Sequence, residues 1–315
     1  MRVLLAVDSS PYSQQAVEFA SHLPLRKPVD FDLVSVVAPP MLVDTGGMSM
    51  PMDFGSFLEI ETDRSREAIE AVASDLTSQD HVHSVHTHVP IGPPTSALLD
   101  MAEESGADLI VLGAIGHSAI ERVLLGSVSD YVATHADTST LVVRPTSEAD
   151  VEPGLQKIML ALSGRPEDER MLTWLRELKL RPNVEVHLVR VLDRFSFYRQ
   201  DLRQQASDAW QAQHEQAQAQ ILDFETKLQQ LGLNTETHFV ESDHVGEALV
   251  EYGRRHGCDL AVTGDSDSGL LTRVFLGSTS RYVLRHADCS VLIIRDREDR
   301  AKAHRQIAEQ SLAGT

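Results

Sequence analysis

Apolar positions along this chain follow two different periods. Short runs rich in β-branched residues, "RVLLAV", "FDLVSVV", "VHSVHTHV", "ADLIVLG" and "STLVVR", predict strands. Between them, "SPYSQQAVEFASHL", "REAIEAVASDLT", "PTSALLDMAEESG" and "ERVLLGSVSDYVATHA" show the spacing of amphipathic helices. Strands alternating with helices in this way predict an α/β fold, a parallel sheet with helices on both faces. The unbroken apolar run in "ADLIVLG" suits a central strand buried on both sides.

The pattern then starts again. "IMLAL", "VEVHLVRVL", "TETHFV", "DLAVTG" and "SVLIIR" repeat the strand order, and "GSVSDYVATHADTSTLVVR" (126–144) meets "GSTSRYVLRHADCSVLIIR" (277–295) with eleven of nineteen positions identical. An internal duplication of whole domains follows, each a five-stranded Rossmann-like unit. The predicted boundaries are 1–146 and 155–296, separated by the acidic "TSEADVEPG" and followed by a polar tail, 297–315, that either forms a helix or frays. The second copy contains a glutamine-rich run in which Leu202, Ala206, Trp210, Ala217, Ile221, Phe224, Leu228 and Leu231 recur at helical spacing. It predicts a long helix packed on its own sheet. The corresponding place in the first copy holds "APPMLVDTGGMSMPMDFGSF", a loop leading into a helix near Phe57. That loop is either a cover over a ligand or an unstructured connection.

Composition narrows the function. A length of 315 residues suits two domains, and an apolar fraction of 42% supplies their cores. The 47 acidic against 28 basic residues, a formal net charge of -19, argue against a nucleic-acid backbone or an anionic membrane as a partner. A small anion bound by local backbone donors is still compatible with that charge. Two cysteines, Cys258 and Cys289, have neither redox nor zinc-ligand spacing and read as small buried side chains. With no signal peptide or membrane-spanning run evident, a cytoplasmic protein is expected.

The chemistry centres on "GAIGHSAIERVLLGS", Gly113 to Ser127. Gly113 ends a buried strand, and Gly116 can adopt a positive φ and let the backbone approach a ligand closely. Successive N–H groups there form an anion-binding nest, and Gly126, Ser127, Val128 and Ser129 open a helix whose unpaired donors favour phosphate. His117, directly after Gly116, either approaches a phosphate or faces water. No GxxxxGK[ST], GxGxxG or G-x-S-x-G occurs, which argues against a phosphate-loop hydrolase, a dinucleotide site and an acyl-transfer enzyme.

On these residues the chain resembles the universal stress protein family, in a two-domain form. Gly113, Gly116, Gly126 and Ser127 match the family pattern G-x2-G-x9-G-[ST] in full. Asp8 matches the family aspartate near ribose and phosphates, Gly92 a glycine beside the pocket, and Val37 falls at the adenine-facing position. The resemblance implies ATP, with magnesium, as ligand, and in some members slow hydrolysis or autophosphorylation, while other members bind no nucleotide. It also suggests assembly through "STLVVR" and "SVLIIR", an intramolecular pseudo-dimer and a homodimer both being compatible.

In the second copy Asp8 becomes Ser163, Gly92 becomes Asp243 and Gly116 becomes Asp267, with Asp265 adding another carboxylate. A carboxylate about 4 Å from a phosphate charge costs about 4 kcal/mol at an effective dielectric near 20, roughly a thousandfold in affinity. A degenerate second site is expected, its unit serving packing or an unidentified protein partner. The alternative is that Asp243, Asp265 and Asp267 hold a divalent cation.

Other residues have bland and functional readings. His81, His83, His86 and His88 are either an exposed edge or a metal pair; His135 and His286 close helices; Arg122 and Arg273 meet phosphate or surface carboxylates. The leading expectation is an ATP-binding stress-response or signalling module, its nucleotide held by the N-terminal domain. A nucleotide-independent scaffold is the alternative, and a slow magnesium-dependent ATPase or autophosphorylating protein a third. No general base or phosphate-contacting lysine is evident at the motif, so any hydrolysis is expected to be slow.

Overall fold

We describe residues 1–39, 54–116, 125–145, 155–165, 167–193, 200–265 and 276–295 of a computed structural model of the chain. They form two compact units, Met1–Val143 and one beginning at Arg144.

The first unit runs β1 (Arg2–Ala6), α1 (Pro11–Ser21), β2 (Val29–Val34), α2 (Phe54–Thr77), β3 (Val82–His88), α3 (Pro94–Ser105), β4 (Leu109–Gly113), α4 (Ser127–His135) and β5 (Ser139–Val143). Its strands lie in the order β3-β2-β1-β4-β5, every neighbouring pair parallel. The chain adds strands outward from β1 to β3, then crosses back to place β4 on the other side of β1. The expected parallel α/β sheet is therefore present, and its strand order reverses between β1 and β4. Leu109–Leu112 and all of β5 are buried, which is why these strands read as continuous apolar runs rather than alternating ones.

Local signals set the helix ends. The Ser10 hydroxyl accepts from the Ser13 amide at 3.1 Å and Pro11 begins α1, where a missing N–H leaves no bond unmade. Gly106, with φ 72°, closes α3 in the left-handed conformation that glycine adopts without a Cβ clash. Two boundaries differ from the sequence reading. Helix α2 begins at Phe54, close to the helix expected near Phe57 and twelve residues before the periodic run that opens at Arg66, because the periodicity of its first half is weak while Ile69 and Leu76 anchor the second half in the core. Helix α4 begins at Ser127, capped by Gly126; the stretch 121–124 lies outside the described residues.

The second unit repeats the plan with β6 (Lys157–Leu162), α5 (Asp168–Arg176), β7 (Glu185–Asp193), α6 (Gln200–Gln230), β8 (Asn234–Ser242), α7 (Val245–His256), β9 (Leu260–Gly264), α8 (Ser278–His286) and β10 (Ser290–Ile294). The order is β8-β7-β6-β9-β10, again parallel. The long helix α6 packs on β7 and β8, with Ala217, Ile221, Phe224 and Leu228 buried at spacings of four, three and four. The side chains of Leu202, Ala206 and Trp210 lie outside the described residues. Among the described residues no helix is long and apolar enough to cross a membrane.

Candidate functional site

In an open parallel sheet, ligands sit beyond the carboxyl ends of the strands where the strand order reverses. In the first unit that point lies between β1 and β4, and it is where Asp8 and the Gly113–Gly116 turn emerge. The two turns touch. Gly113 packs so tightly on the start of α1 that a β-carbon there would lie 2.7 Å from the backbone carbon and oxygen of Tyr12. A β-carbon on Gly116 would lie 3.0 Å from Asp8 Oδ2. Each motif glycine thus marks a close approach rather than a left-handed backbone.

Asp8 is held in a small network. Its amide donates to Ser13 Oγ at 2.9 Å, and its Oδ1 accepts from the Ser10 amide at 2.9 Å and from the Ser10 hydroxyl. The same Ser10 hydroxyl caps α1, so the carboxylate and the helix start share one anchor. The carboxylate itself lies on an exposed residue.

The second half of the motif closes on the first. The Gly126 amide donates to the Ala114 carbonyl at 2.7 Å, and a β-carbon on Gly126 would stand 3.4 to 3.5 Å from Ala114, Ile115 and Gly116 backbone atoms. This contact delivers the first turn of α4 to the β4 turn, although nine residues separate Gly116 from Gly126. The Gly126 carbonyl accepts from the Asp130 amide, which leaves the amides of Ser127, Val128 and Ser129 as the helix's opening donors without an intrahelical acceptor. Their dipole end favours an anion. Ser127 is exposed; Ser129 is buried and donates its hydroxyl to the Gly113 carbonyl at 2.8 Å. The Ser129 hydroxyl therefore braces β4 against α4, and its proton is already engaged.

Val37 and Gly92 meet beyond the ends of β2 and β3. The Val37 amide donates to the Pro90 carbonyl and the Gly92 amide to the Val37 carbonyl, both at 3.0 Å. Val37 is buried. His117 lies outside the described residues.

The second unit differs at the same place, and a carboxylate and a hydroxyl have changed positions. Ser163 stands where Asp8 does, and Asp168 where Ser13 does. Asp168 accepts from the Ser163 amide, the Ser163 hydroxyl and the Gly164 amide, at 2.7 to 3.1 Å. Burial raises its pKa and these donors oppose the rise. Beside this turn stand two side chains that the sequence did not single out. The Arg190 guanidinium donates to the Leu162 carbonyl at 3.1 Å, and Gln220 of α6 comes so near that a β-carbon on Gly164 would lie 2.7 Å from its Oε1.

Asp265 also has a different role from the expected one. It is buried, 3.4 Å from an Arg170 nitrogen and 3.6 Å from Arg295 Nε, an ion cluster inside the unit rather than a carboxylate facing a ligand. Asp243 is exposed and Asp267 lies outside the described residues, and no cation cluster forms from Asp243 and Asp265. Ser280 donates to the Gly264 carbonyl at 2.6 Å, the counterpart of the Ser129 bond.

The histidine-rich strand β3 is the edge of its sheet. His88 Nε2 lies 3.3 Å from Asp32, and His83 and His86 are exposed. His135 and His286 each place Nδ1 2.8 Å from the carbonyl of the tyrosine four residues earlier and stack on its ring, the helix-closing role expected of both. Arg122 and Arg273 lie outside the described residues. Cys258 is buried and Cys289 half-buried, both free thiols.

Comparison with known proteins agrees with the fold. A universal stress protein of Mycolicibacterium smegmatis is 26% identical over 299 residues, covering 94% of this chain and 97% of its own length. The crystal structure of a universal stress protein from Archaeoglobus fulgidus DSM 4304 covers 95% of this chain and 97% of its own, with a TM-score of 0.63 at 17% identity, a likeness of fold. A universal stress protein solved in complex with cAMP covers 45% of this chain and 95% of its own, with 23% identity and a TM-score of 0.31. The model of the universal stress protein family matches residues 1–144 and again 154–295. The chain therefore belongs to the universal stress protein family and carries two of its domains in tandem.

Proposed function

We propose that the first unit binds an adenine nucleotide, ATP with magnesium, as a stress-response or signalling module. The second unit serves packing or an unidentified protein partner. The observation that carries this reading is the Gly126–Ala114 hydrogen bond of 2.7 Å, which draws the opening amides of α4 to the glycine turn beside Asp8. Phosphates held there meet main-chain donors from both segments, with Asp8 at the ribose or at the cation and Val37 against the base. Gly116 keeps clear the space next to the Asp8 carboxylate. His117 follows that glycine in sequence and contributes at the phosphates.

Three features support the inequality of the two units. Ser163 replaces the carboxylate at the end of the first strand, Asp267 replaces the glycine, and Arg190 with Gln220 stands beside the Ser163–Gly164 turn. Magnesium would be held by Asp8 and the nucleotide's own phosphates, supplying charge neutralisation.

Mass analysis of nucleotide released from freshly purified protein, with its stoichiometry per chain, tests the proposal. One adenine nucleotide per chain, lost in Gly116→Asp, is the expected result. No bound nucleotide, together with no titration by magnesium ATP, would leave the nucleotide-independent scaffold as the function.

A further inference from the structure

We infer that the second unit carries a zinc site formed by His187, Glu236 and His238, on the face of β7 and β8 that is covered by α7. This inference is independent of the nucleotide proposal and uses none of its residues.

The sheet register brings the three ligands together. His187 pairs with Glu236, and Val189 with His238, so His187, Glu236 and His238 project from the same face of adjacent parallel strands. Their ligand atoms lie within 4.8 Å of one another. His187 Nε2 is 3.7 Å from Glu236 Oε2, and His238 Nε2 is 3.2 Å from Glu236 Oε1. Zinc bound at roughly 2.0 to 2.1 Å by nitrogen and oxygen ligands requires tetrahedral ligand-to-ligand distances of about 3.4 Å, and each imidazole stands near that distance from one of the two Glu236 oxygens. The two rings stack with centroids 5.3 Å apart. Bringing both imidazole nitrogens onto a common ion requires the half-buried His238 ring to turn.

Hydrogen bonding around the cluster favours a cation there. His187 is 1% exposed, and its Nδ1 lies 2.6 Å from the Tyr252 hydroxyl. Nδ1–H donating to Tyr252 Oη leaves a lone pair on Nε2 aimed at the carboxylates, the ordinary arrangement of a metal-bound imidazole oriented from behind. His238 Nε2 is buried and makes no hydrogen bond of good geometry, although a carboxylate oxygen stands beside it.

The charges also suit a divalent ion. Glu185 lies 3.3 Å from His187 Nε2 but is engaged by Lys157 Nζ at 3.1 Å, so it balances the lysine rather than joining the ligands. Glu236, 62% exposed on the edge strand β8, leaves the site open to solvent on one side. Three protein ligands and an open fourth position follow. Two imidazoles with one carboxylate select a borderline transition metal over magnesium or calcium. His256 stacks on Tyr252 with ring centroids 4.1 Å apart and closes the cluster from α7.

Titrating the full chain, purified with a chelator and then freed of it, with zinc chloride tests the site by calorimetry and native mass spectrometry. One zinc per chain is expected. Glu236→Gln and His238→Ala, at partly exposed positions of an edge strand, should weaken that event at least tenfold with unchanged melting of the metal-free protein. Tyr252→Phe should weaken it by about 10- to 100-fold, as loss of an orienting partner does. His83→Ala with His86→Ala should leave it intact, separating it from zinc on the exposed β3 histidines. Zinc uptake at full strength in both Glu236→Gln and His238→Ala, or no uptake by the unsubstituted chain at micromolar zinc, would overturn the inference.

Discussion

Asp8 Oδ2 lies only 3.0 Å from the point where a β-carbon on Gly116 would stand. The carboxylate and the glycine, 108 positions apart, form one local surface, and the second unit alters both of its counterparts. Gly116→Ala requires the carboxylate to give by a few tenths of an ångström. Gly116→Asp sets a second carboxylate beside the first, and at about 4 Å from a bound phosphate charge it costs binding about 4 kcal/mol at an effective dielectric near 20. Magnesium ATP affinity, measured by calorimetry, should fall roughly a thousandfold in Gly116→Asp with the circular dichroism unchanged. Unaltered affinity would remove this turn from the nucleotide site.

Gly113 and Gly264 are equivalent in sequence but not in packing. A β-carbon on Gly113 meets the Tyr12 backbone at 2.7 Å, whereas one on Gly264 meets the flexible end of Met171 at 3.7 Å. Gly113→Ala should destabilise the first unit by about 1 to 3 kcal/mol, since backbone cannot yield as a side chain does. Gly264→Ala should leave the melting of the second unit nearly unchanged. Equal losses from the two substitutions in a thermal melt would contradict the difference in packing.

Asp265 should matter for stability rather than for ligand binding. Removing it in Asp265→Ala takes a buried carboxylate away from Arg170 and the fully buried Arg295, a loss of about 3 to 5 kcal/mol for a buried pair. Denaturant unfolding followed by Trp174, which lies in α5 of the same unit, reads that loss. An unchanged midpoint would mean that the cluster is not electrostatically coupled.

The His187 cluster makes the metal-free second unit sensitive to mild acid. Burial first, and His238 and Lys157 with it, hold His187 below the ordinary histidine range against the pull of Glu185 and Glu236; burial lowers His256 as well. An unfolded histidine titrates near about 6.5, so below that pH the unfolded chain binds more protons than the folded one. The stabilisation is fully present above about pH 6.5 and is lost as the pH falls through the lower folded values. Melting in the presence of a chelator should drop across that window, and His187→Gln should flatten the dependence. A rise in stability toward acid would reverse the sign and refute it.

Both cysteines should be slow nucleophiles. Burial pushes the Cys258 thiol up to about 12 and Cys289 up to about 11, so little thiolate exists near pH 8. Labelling by a thiol-disulfide reagent in the native protein should run at least about a hundredfold slower than for free cysteine, and denaturant should release both thiols. Rapid native labelling would show that the Cys258 and Cys289 environments open readily.

The linear sequence by itself determined the two-unit parallel α/β plan, because strand and helix periods are local and the repeat is written twice. It also determined the glycine motif and Asp8, which stand as residue types at set spacings. The tertiary structure alone decided what those residues touch. Tyr12 behind Gly113, Asp8 beside Gly116, and Gly126 bonded to Ala114 are contacts between segments remote in the chain. The exchange of carboxylate and hydroxyl between Asp8–Ser13 and Ser163–Asp168 needed the same knowledge. Arg190 and Gln220 near Ser163, and the two arginines that enclose Asp265, have no motif to announce them. Nor does the meeting of His187 with Glu236 and His238, which depends on the register of β7 against β8. Periodicity reports which face of an element is buried, while electrostatics and close packing depend on distances that only the folded chain sets.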